Sequence, residues 1–203
     1  MKITGLKVQS KDKNRCNLYI DGDFKCGISV DSVYKYGLKI GTEITEDILN
    51  DIMINSQKSQ ALSKAISYVS KSLKTKKQVK DYLLGKDFNI DIVYFVIDKL
   101  KEYGYIDDVE YSRKYIELNS KNKGERLIDY NLMQKGIKKE DIYLARESAV
   151  VDNFSAILSI VEKRLKNKEI TRELLSKTYK YLIGKGFNYD DIDKVISKYK
   201  EEF

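Results

Sequence analysis

Apolar positions recur with two different periods along this chain of 203 residues. Up to about residue 45 they alternate as in strands: Ile3, Leu6 and Val8, then Leu18, Ile20, Phe24, Cys26 and Ile28, broken by polar clusters and the turn Asp21-Gly22-Asp23. That spacing predicts a small antiparallel β unit with one face holding Cys16, Leu18 and Ile20 and continuing through Phe24, Cys26 and Ile28. A short helix is expected near Val30 to Tyr36, ended by Gly37, with a turn at Gly41. Thr45 reads as an N-cap, because Glu46 and Asp47 follow it before Ile48, Leu49, Ile52 and Met53 take up helical spacing. The polar stretch Asn55 to Ser59 is the expected hinge between this part and the rest of the chain.

From Ala61 the period is helical and stays so. Stripes of Leu62, Ala65, Ile66 and Val69, of Val79, Leu83 and Leu84, and of Val93, Val96, Ile97 and Leu100 predict three helices, with Thr75 and Asn89 as caps and Gly104 closing the group. A second set offers Val109, Tyr115, Ile116 and Leu118, then Leu127, Ile128 and Leu132, then Ile142, Leu144 and Ala145. The third offers Phe154, Ile157, Leu158, Val161 and Leu165, then Leu174, Leu175, Leu182 and Ile183, then Ile192, Val195 and Ile196. One landmark recurs about every fifty residues: Leu83 to Phe88, Leu132 to Ile137 and Leu182 to Phe187. Such a period predicts tandem supersecondary units that bury apolar faces against neighbours. The expected fold is mainly α, with three tandem three-helix repeats (58–106, 107–151, 152–203) in an elongated curved array, after a small antiparallel β unit at 1–57. In the landmark, Gly136 and Gly186 suit the left-handed position of a helix C-cap, and the apolar residue behind each packs back on the last turn. Asp87 stands where those glycines stand, so Gly85 is the expected cap of the first repeat.

Composition removes much chemistry. There is no histidine, hence no imidazole acid or base, no His triad and no ordinary His/Cys zinc site. Phosphate-binding glycine loops and Cys-x-x-Cys pairs are absent too, so no enzyme activity and no cofactor or metal are expected. The register of the hairpin sets Leu18 opposite Cys26 and Cys16 opposite Ile28, which predicts two reduced, buried thiols. Asp107-Asp108 and Asp190-Asp191 fall where acids favour a helix start. With no apolar run of membrane length and no signal-peptide pattern, the chain is expected to be cytoplasmic, monomeric and free of membrane.

Charge adds a further order. The net charge is +7, and residues 58 to 86 alone carry eight lysines against Asp81. Residues 87 to 110 swing to −5, 111 to 139 to +5, 140 to 153 to −3 and 161 to 185 to +5. Each repeat is thus basic first and acidic last, the layout of a one-sided electrostatic surface. Candidate contacts to an acidic protein surface or to phosphate are Lys71, Lys74, Lys76, Lys77 and Lys80 in the first repeat, Arg113, Lys121, Lys123 and Arg126 in the second, and Lys163, Arg164, Lys166 and Arg172 in the third. Gly104, Gly136 and Gly186 are candidate structural caps. Lysine outnumbers arginine 32 to 6, which favours sequence-independent phosphate contact over base reading. Tyr68, Tyr82 and Tyr111 lie among these lysines as core or rim residues, with stacking on bases the alternative.

The segment Leu100-Lys101-Glu102-Tyr103-Gly104-Tyr105-Ile106-Asp107-Asp108-Val109-Glu110-Tyr111 resembles the signature of the RecX family of recombinase regulators, and Lys135-Gly136-Ile137, Gly186-Phe187, Thr75, Val79 and Leu83 extend the likeness. The N-terminal β unit ahead of three repeats is similar to longer members from low-GC Gram-positive bacteria. Departures are Asp87 and basic faces built of lysine more than arginine. The resemblance implies a non-catalytic protein of homologous recombination, DNA repair and the SOS response. It would bind the RecA filament on DNA in its groove and inhibit its ATPase, extension and strand exchange, with weak contact to single- or double-stranded DNA. A sequence-independent DNA-binding protein is the alternative.

Overall fold

A computed structural model describes residues 1–10 and 12–200. Strands β1 (Ile3–Val8), β2 (Arg15–Ile20) and β3 (Asp23–Ser29) form an antiparallel sheet in that order. Asp21 and Gly22 both have positive φ, 51° and 93°, so a two-residue turn of the primed kind matches the twist of β2 and β3. Cys16 faces Ile28 and Leu18 faces Cys26, the expected register, and both thiols are free. Burial pushes the Cys26 thiol above its ordinary pKa. A bulge between Leu18 and Tyr19 then pairs Tyr19 with Phe24. The extra residue reverses the side-chain alternation, so Phe24 lies outside the core, edge-on to the Tyr19 ring at 5.8 Å, and not on the face of Cys26 and Ile28 as the sequence pattern predicts. Helix α1 (Val30–Lys35), capped by Ser29, ends before Gly37 at φ 60°, and Gly41 turns the chain at φ 93° back to β1. Ile3, Leu18, Ile20 and Ile28 form the core of this unit with Leu38, Ile44, Leu49 and Ile52.

Helix α2 runs unbroken from Glu46 to Val69, 24 residues. Thr45 caps it through the Ile48 amide, as its flanking acids indicate. The expected hinge at residues 55 to 59 is therefore overturned. Its residues are polar because they meet polar backbone: the buried Ser56 hydroxyl donates to the Gly27 carbonyl, and Asn55 Nδ2 donates to the Asp51 carbonyl at 2.9 Å. With no glycine or proline to break it, one helix supplies Leu49 and Ile52 to the β unit and Ala61, Ala65 and Val69 to the first repeat.

Each later helix trio has the same construction. The trios are α3 (Lys76–Leu84) and α4 (Ile90–Glu102) following α2; α5 (Asp108–Asn119), α6 (Glu125–Gln134) and α7 (Lys139–Ser148); and α8 (Asn153–Leu165), α9 (Arg172–Gly184) and α10 (Tyr189–Lys200). The middle helix of each closes in a Schellman cap. Ile137 N donates to Leu132 O at 3.2 Å and Gly136 N to Met133 O at 2.9 Å, and Phe187 and Gly186 do the same to Leu182 and Ile183. In the first trio Phe88 N reaches Leu83 O at 3.3 Å and Asp87 N reaches Leu84 O at 3.0 Å, with Asp87 at φ 62°. Asp87 itself takes the left-handed position, not Gly85, because the two cap bonds fix which residue must turn. Gly104, at φ 71°, ends α4 the same way. Several stripe residues face outward in spite of their apolar character: Ile48, Leu84, Leu118, Leu144 and Phe154 are exposed, while in the second trio Ile116, Ile142 and Ala145 hold the core.

By packing the chain divides into two units, one of Met1–Ser72 with Val79–Tyr105, the other of Leu73–Gln78 with the described residues from Ile106. Inside the second unit the middle helices dock end to end. Gly124 N donates to Lys185 O at 2.8 Å and Arg126 N to Gly186 O at 3.1 Å, so amides at the start of α6 are satisfied by carbonyls at the end of α9. Close approach demands two glycines. A Cβ on Gly124 would overlap the Gly186 backbone, and one on Gly186 would sit 2.5 Å from Leu127 N. The start of α3 meets the end of α6 similarly: Thr75 Oγ1 donates to Lys135 O at 2.9 Å, and a Cβ on Gly136 would sit 2.5 Å from Lys77 Cβ. Thr75 and Gln78 cap one another reciprocally there, and buried Asp108 accepts from Lys76 N at 2.9 Å.

Stability should respond to substitution at three of these positions. Asp87→Gly relieves a left-handed aspartate and should raise stability by about 1 kcal/mol, read as a Tm rise of about 2–4 °C in calorimetry. Gly124→Ala should cost at least about 2 kcal/mol in urea unfolding, since the methyl group can fit only by opening the α6–α9 junction. Burial raises the pKa of Asp108 above 3.8, outweighing its Lys76 partner. Its folded-state pKa being the higher, Asp108 favours folding most below pH 3.8 and loses that contribution as pH climbs through the raised value. Asp108→Asn, which retains an oxygen acceptor for Lys76 N, should accordingly match or exceed the parent at pH 7, with the difference moving against it on acidification. A variant clearly less stable at pH 7 would show that the carboxylate charge is needed.

Candidate partner-binding faces

Two environments recur among the described cations. Some face carboxylates. Arg113 binds Glu110 at 2.8 Å and Glu117 at 2.9 Å, holding the Glu110 carboxyl down to about 2. Arg146 pairs with Asp129 and lies 3.4 Å from Glu125, and Lys76 Nζ lies 3.8 Å from Asp108. Charges matched in this way present little field to a partner. Others lie on tyrosine faces, which hold an ammonium or guanidinium in place without neutralising it.

In the second and third trios four cations are seated on two rings, Tyr115 and Tyr181. Lys123 and Lys135 both lie 5.7 Å from the Tyr115 ring centroid, and Lys123 Nζ also donates to Asn119 Oδ1 at 3.0 Å. Arg164 lies 4.1 Å and Lys185 5.4 Å from the Tyr181 centroid. Lys123 immediately precedes Gly124, whose amide is bonded to the Lys185 carbonyl, so these two lysines meet at the α6–α9 junction, while Lys135 reaches the Tyr115 ring from the other end of α6. None of the four is in an ion pair among the described residues. Tyr115 also stacks with Tyr111, centroids 6.3 Å apart.

The remaining predicted residues are more scattered. Arg126 lies 5.0 Å over the Tyr189 ring, beside the same junction. Lys77 packs its stem by Gly136, and Lys74 is half-buried just before the Thr75 cap. Lys80 donates to the Tyr94 hydroxyl at 2.9 Å. Lys71 is exposed beyond α2, Lys121 in the turn before α6, Lys163 and Lys166 at the end of α8, and Arg172 at the first position of α9. Lys135 and Lys185 were readable from sequence only as cations suited to a helix C-terminus. Their tyrosine seats lie four residues back in α9 but twenty residues back in the second trio, so no fixed spacing reveals them. Lys86 completes the series, 5.9 Å from the Tyr82 ring, which itself stacks on Tyr68 at 4.2 Å. No described helix is long and apolar enough to cross a membrane.

Known proteins share this architecture and most of this sequence length. Sequence-family profiles match the regulatory protein RecX N-terminal domain at residues 1–45, the first RecX three-helix domain at 61–105 and the third at 151–196. A regulatory protein RecX of Clostridium tetani is 35% identical over 202 residues, spanning 97% of this chain and 94% of its own. One from Clostridium botulinum is 33% identical over 202 residues, with 97% and 95% covered. Among solved structures, a crystal structure of regulatory protein RecX superposes with a TM-score of 0.78 at 25% identity over 97% of this chain and 98% of the other. RecX from Lactobacillus salivarius gives a TM-score of 0.65 at 28% identity, over 70% of this chain and 96% of the other. With relatives above 30% identity along nearly its whole length and matched profiles at both ends, the chain belongs to the RecX family of regulatory proteins.

Proposed function

We propose that the protein is a non-catalytic, cytoplasmic regulator that binds the RecA filament on DNA and inhibits its ATPase, its extension and strand exchange. The observation that carries this reading is the set of unneutralised cations Lys135, Lys123, Lys185 and Arg164, seated on Tyr115 and Tyr181, in a chain of the RecX family. A filament on DNA offers acidic protein surface and phosphate along one path, and cations fixed on rings meet such a path with little ordering cost. Lys71, Lys74, Lys77, Lys80, Lys121, Arg126, Lys163, Lys166 and Arg172 extend the basic faces along the three repeats, 58–106, 107–151 and 152–203, whereas Lys76 and Arg113 are matched by Asp108 and by Glu110 and Glu117. Gly104, Gly136 and Gly186 act structurally, by setting helix ends.

Direct, sequence-independent binding to DNA is the second reading, favoured by the same tyrosine and lysine pairing. Salt separates the two. Direct binding to single strands without RecA would weaken with a log–log slope of about −0.7 per phosphate contact.

In a RecA-dependent ATPase and strand-exchange titration, wild-type protein should inhibit well below stoichiometric amounts. Changing Lys123, Lys135 and Lys185 together to glutamine should weaken that inhibition about tenfold or more with the far-ultraviolet circular dichroism unchanged, since each loses a charge and no core contact. Full inhibition by the triple variant would remove these cations from the contact, and absence of any wild-type effect on RecA would remove the function.

A further inference from the structure

The groove between the middle and last helices recurs in every trio, and its filling differs. Corresponding positions lie 49 residues apart between the first and second trios and 50 between the second and third, so that Lys80, Asp129 and Tyr179 correspond, as do Tyr94, Tyr143 and Asp193, and Ile97, Arg146 and Ile196. In the first trio Lys80 reaches across to the Tyr94 hydroxyl at 2.9 Å. In the second, Arg146 crosses to Asp129 and Glu125, leaving a cavity of about 310 Å³. In the third, Glu125 is replaced by Leu175, Asp129 by Tyr179 and Arg146 by Ile196, so no ion pair bridges α9 and α10 among the described residues. A cleft of about 540 Å³ remains, lined by Leu175, Ser176, Tyr179 and Ile196.

The rim of this cleft is cationic. Arg172 and Lys180 line it and are exposed, and neither is in an ion pair among the described residues. Arg172 stands there because α9 begins three residues earlier, relative to its cap, than α3 and α6 do. The lone acid of the lining is Asp193, which faces the Tyr179 phenol and, after burial, helps to raise its pKa, so the two rim cations outnumber it. An apolar floor with two outward cations complements a segment that carries one apolar side chain between carboxylates.

We propose that the α9–α10 cleft is a docking site for an acidic protein segment anchored by a single apolar side chain. The anchor enters between Leu175, Tyr179 and Ile196, and flanking carboxylates meet Arg172 and Lys180. This goes beyond the filament reading and stands without it, since it rests on the filling of one groove and uses none of the four cations seated on Tyr115 and Tyr181.

The test is fluorescence anisotropy on the full chain, with a fluorescein-labelled peptide of about twelve residues in which glutamates flank one leucine. Two control peptides replace the leucine by serine or the glutamates by lysine. The wild-type protein should bind the acidic leucine peptide about tenfold or more tighter than either control. Ser176→Trp, an exposed position that plugs the cleft, and the double change Arg172→Glu with Lys180→Glu should each lose about tenfold or more, with Tm unchanged. Equal binding of all three peptides, absence of binding to the acidic leucine peptide, or undiminished binding by Ser176→Trp would overturn the proposal. So would concentration-dependent dimerisation that Ser176→Trp abolishes, which would assign the cleft to a second copy of this chain.

Discussion

Everything in the second unit depends on how the start of one middle helix is satisfied by the end of the next. Helix starts leave amides without intrahelical partners and helix ends leave carbonyls. At the α6–α9 junction Gly124 and Arg126 donate to Lys185 and Gly186, so both deficits are met at once and opposite ends of two helix dipoles face each other. The contact involves backbone on both sides, hence its intolerance of a Cβ at Gly124 or Gly186. It also sets the register of the trios, because sliding by one residue would orphan the donors and drive Leu127 into the cap.

Partner chemistry is arranged by helix ends of this kind. The lysine that precedes each left-handed cap residue has its backbone occupied by the cap and its side chain free to lie on an aromatic face, as Lys135 does on Tyr115 and Lys185 on Tyr181. Docking then brings Lys123 beside Lys185, and Arg164 joins them across Tyr181. Cations elsewhere, such as Arg113 and Arg146, are matched by carboxylates on their own or a neighbouring helix. The alternation of basic and acidic segments therefore resolves into cations that stabilise local structure and cations whose field reaches outward.

Much of the local structure was legible because its causes are local. Thr45, Asn89 and Asp107 cap helices through amides two or three residues on, and such bonds need only the right side chain before an apolar stripe. The hairpin register followed from a two-residue turn. Misreadings arose where a backbone bond that residue type does not mark decided the matter. Residues 55 to 59 looked like a hinge because they are polar, yet Ser56 is polar to meet Gly27 on β3. Phe24 looked like core because alternation was carried through a bulge that sequence does not mark. Asp87 looked unsuited to a left-handed turn, but the bonds from Phe88 and Asp87 back to Leu83 and Leu84 require it there.

The amino-acid sequence by itself determined most helices and most of their caps, the fifty-residue repeat, the swing of charge and the likeness to RecX, since each rests on residues within a few positions or on the order of the whole chain. Only the tertiary structure decided that Gly124 would lie against Gly186, that Lys123 and Lys135 would share one tyrosine, and that the α9–α10 groove would stay open while its counterpart is bridged. Those outcomes depend on backbone bonds and ring contacts between residues far apart in the chain. Their partners share no fixed spacing, so no local pattern could announce them.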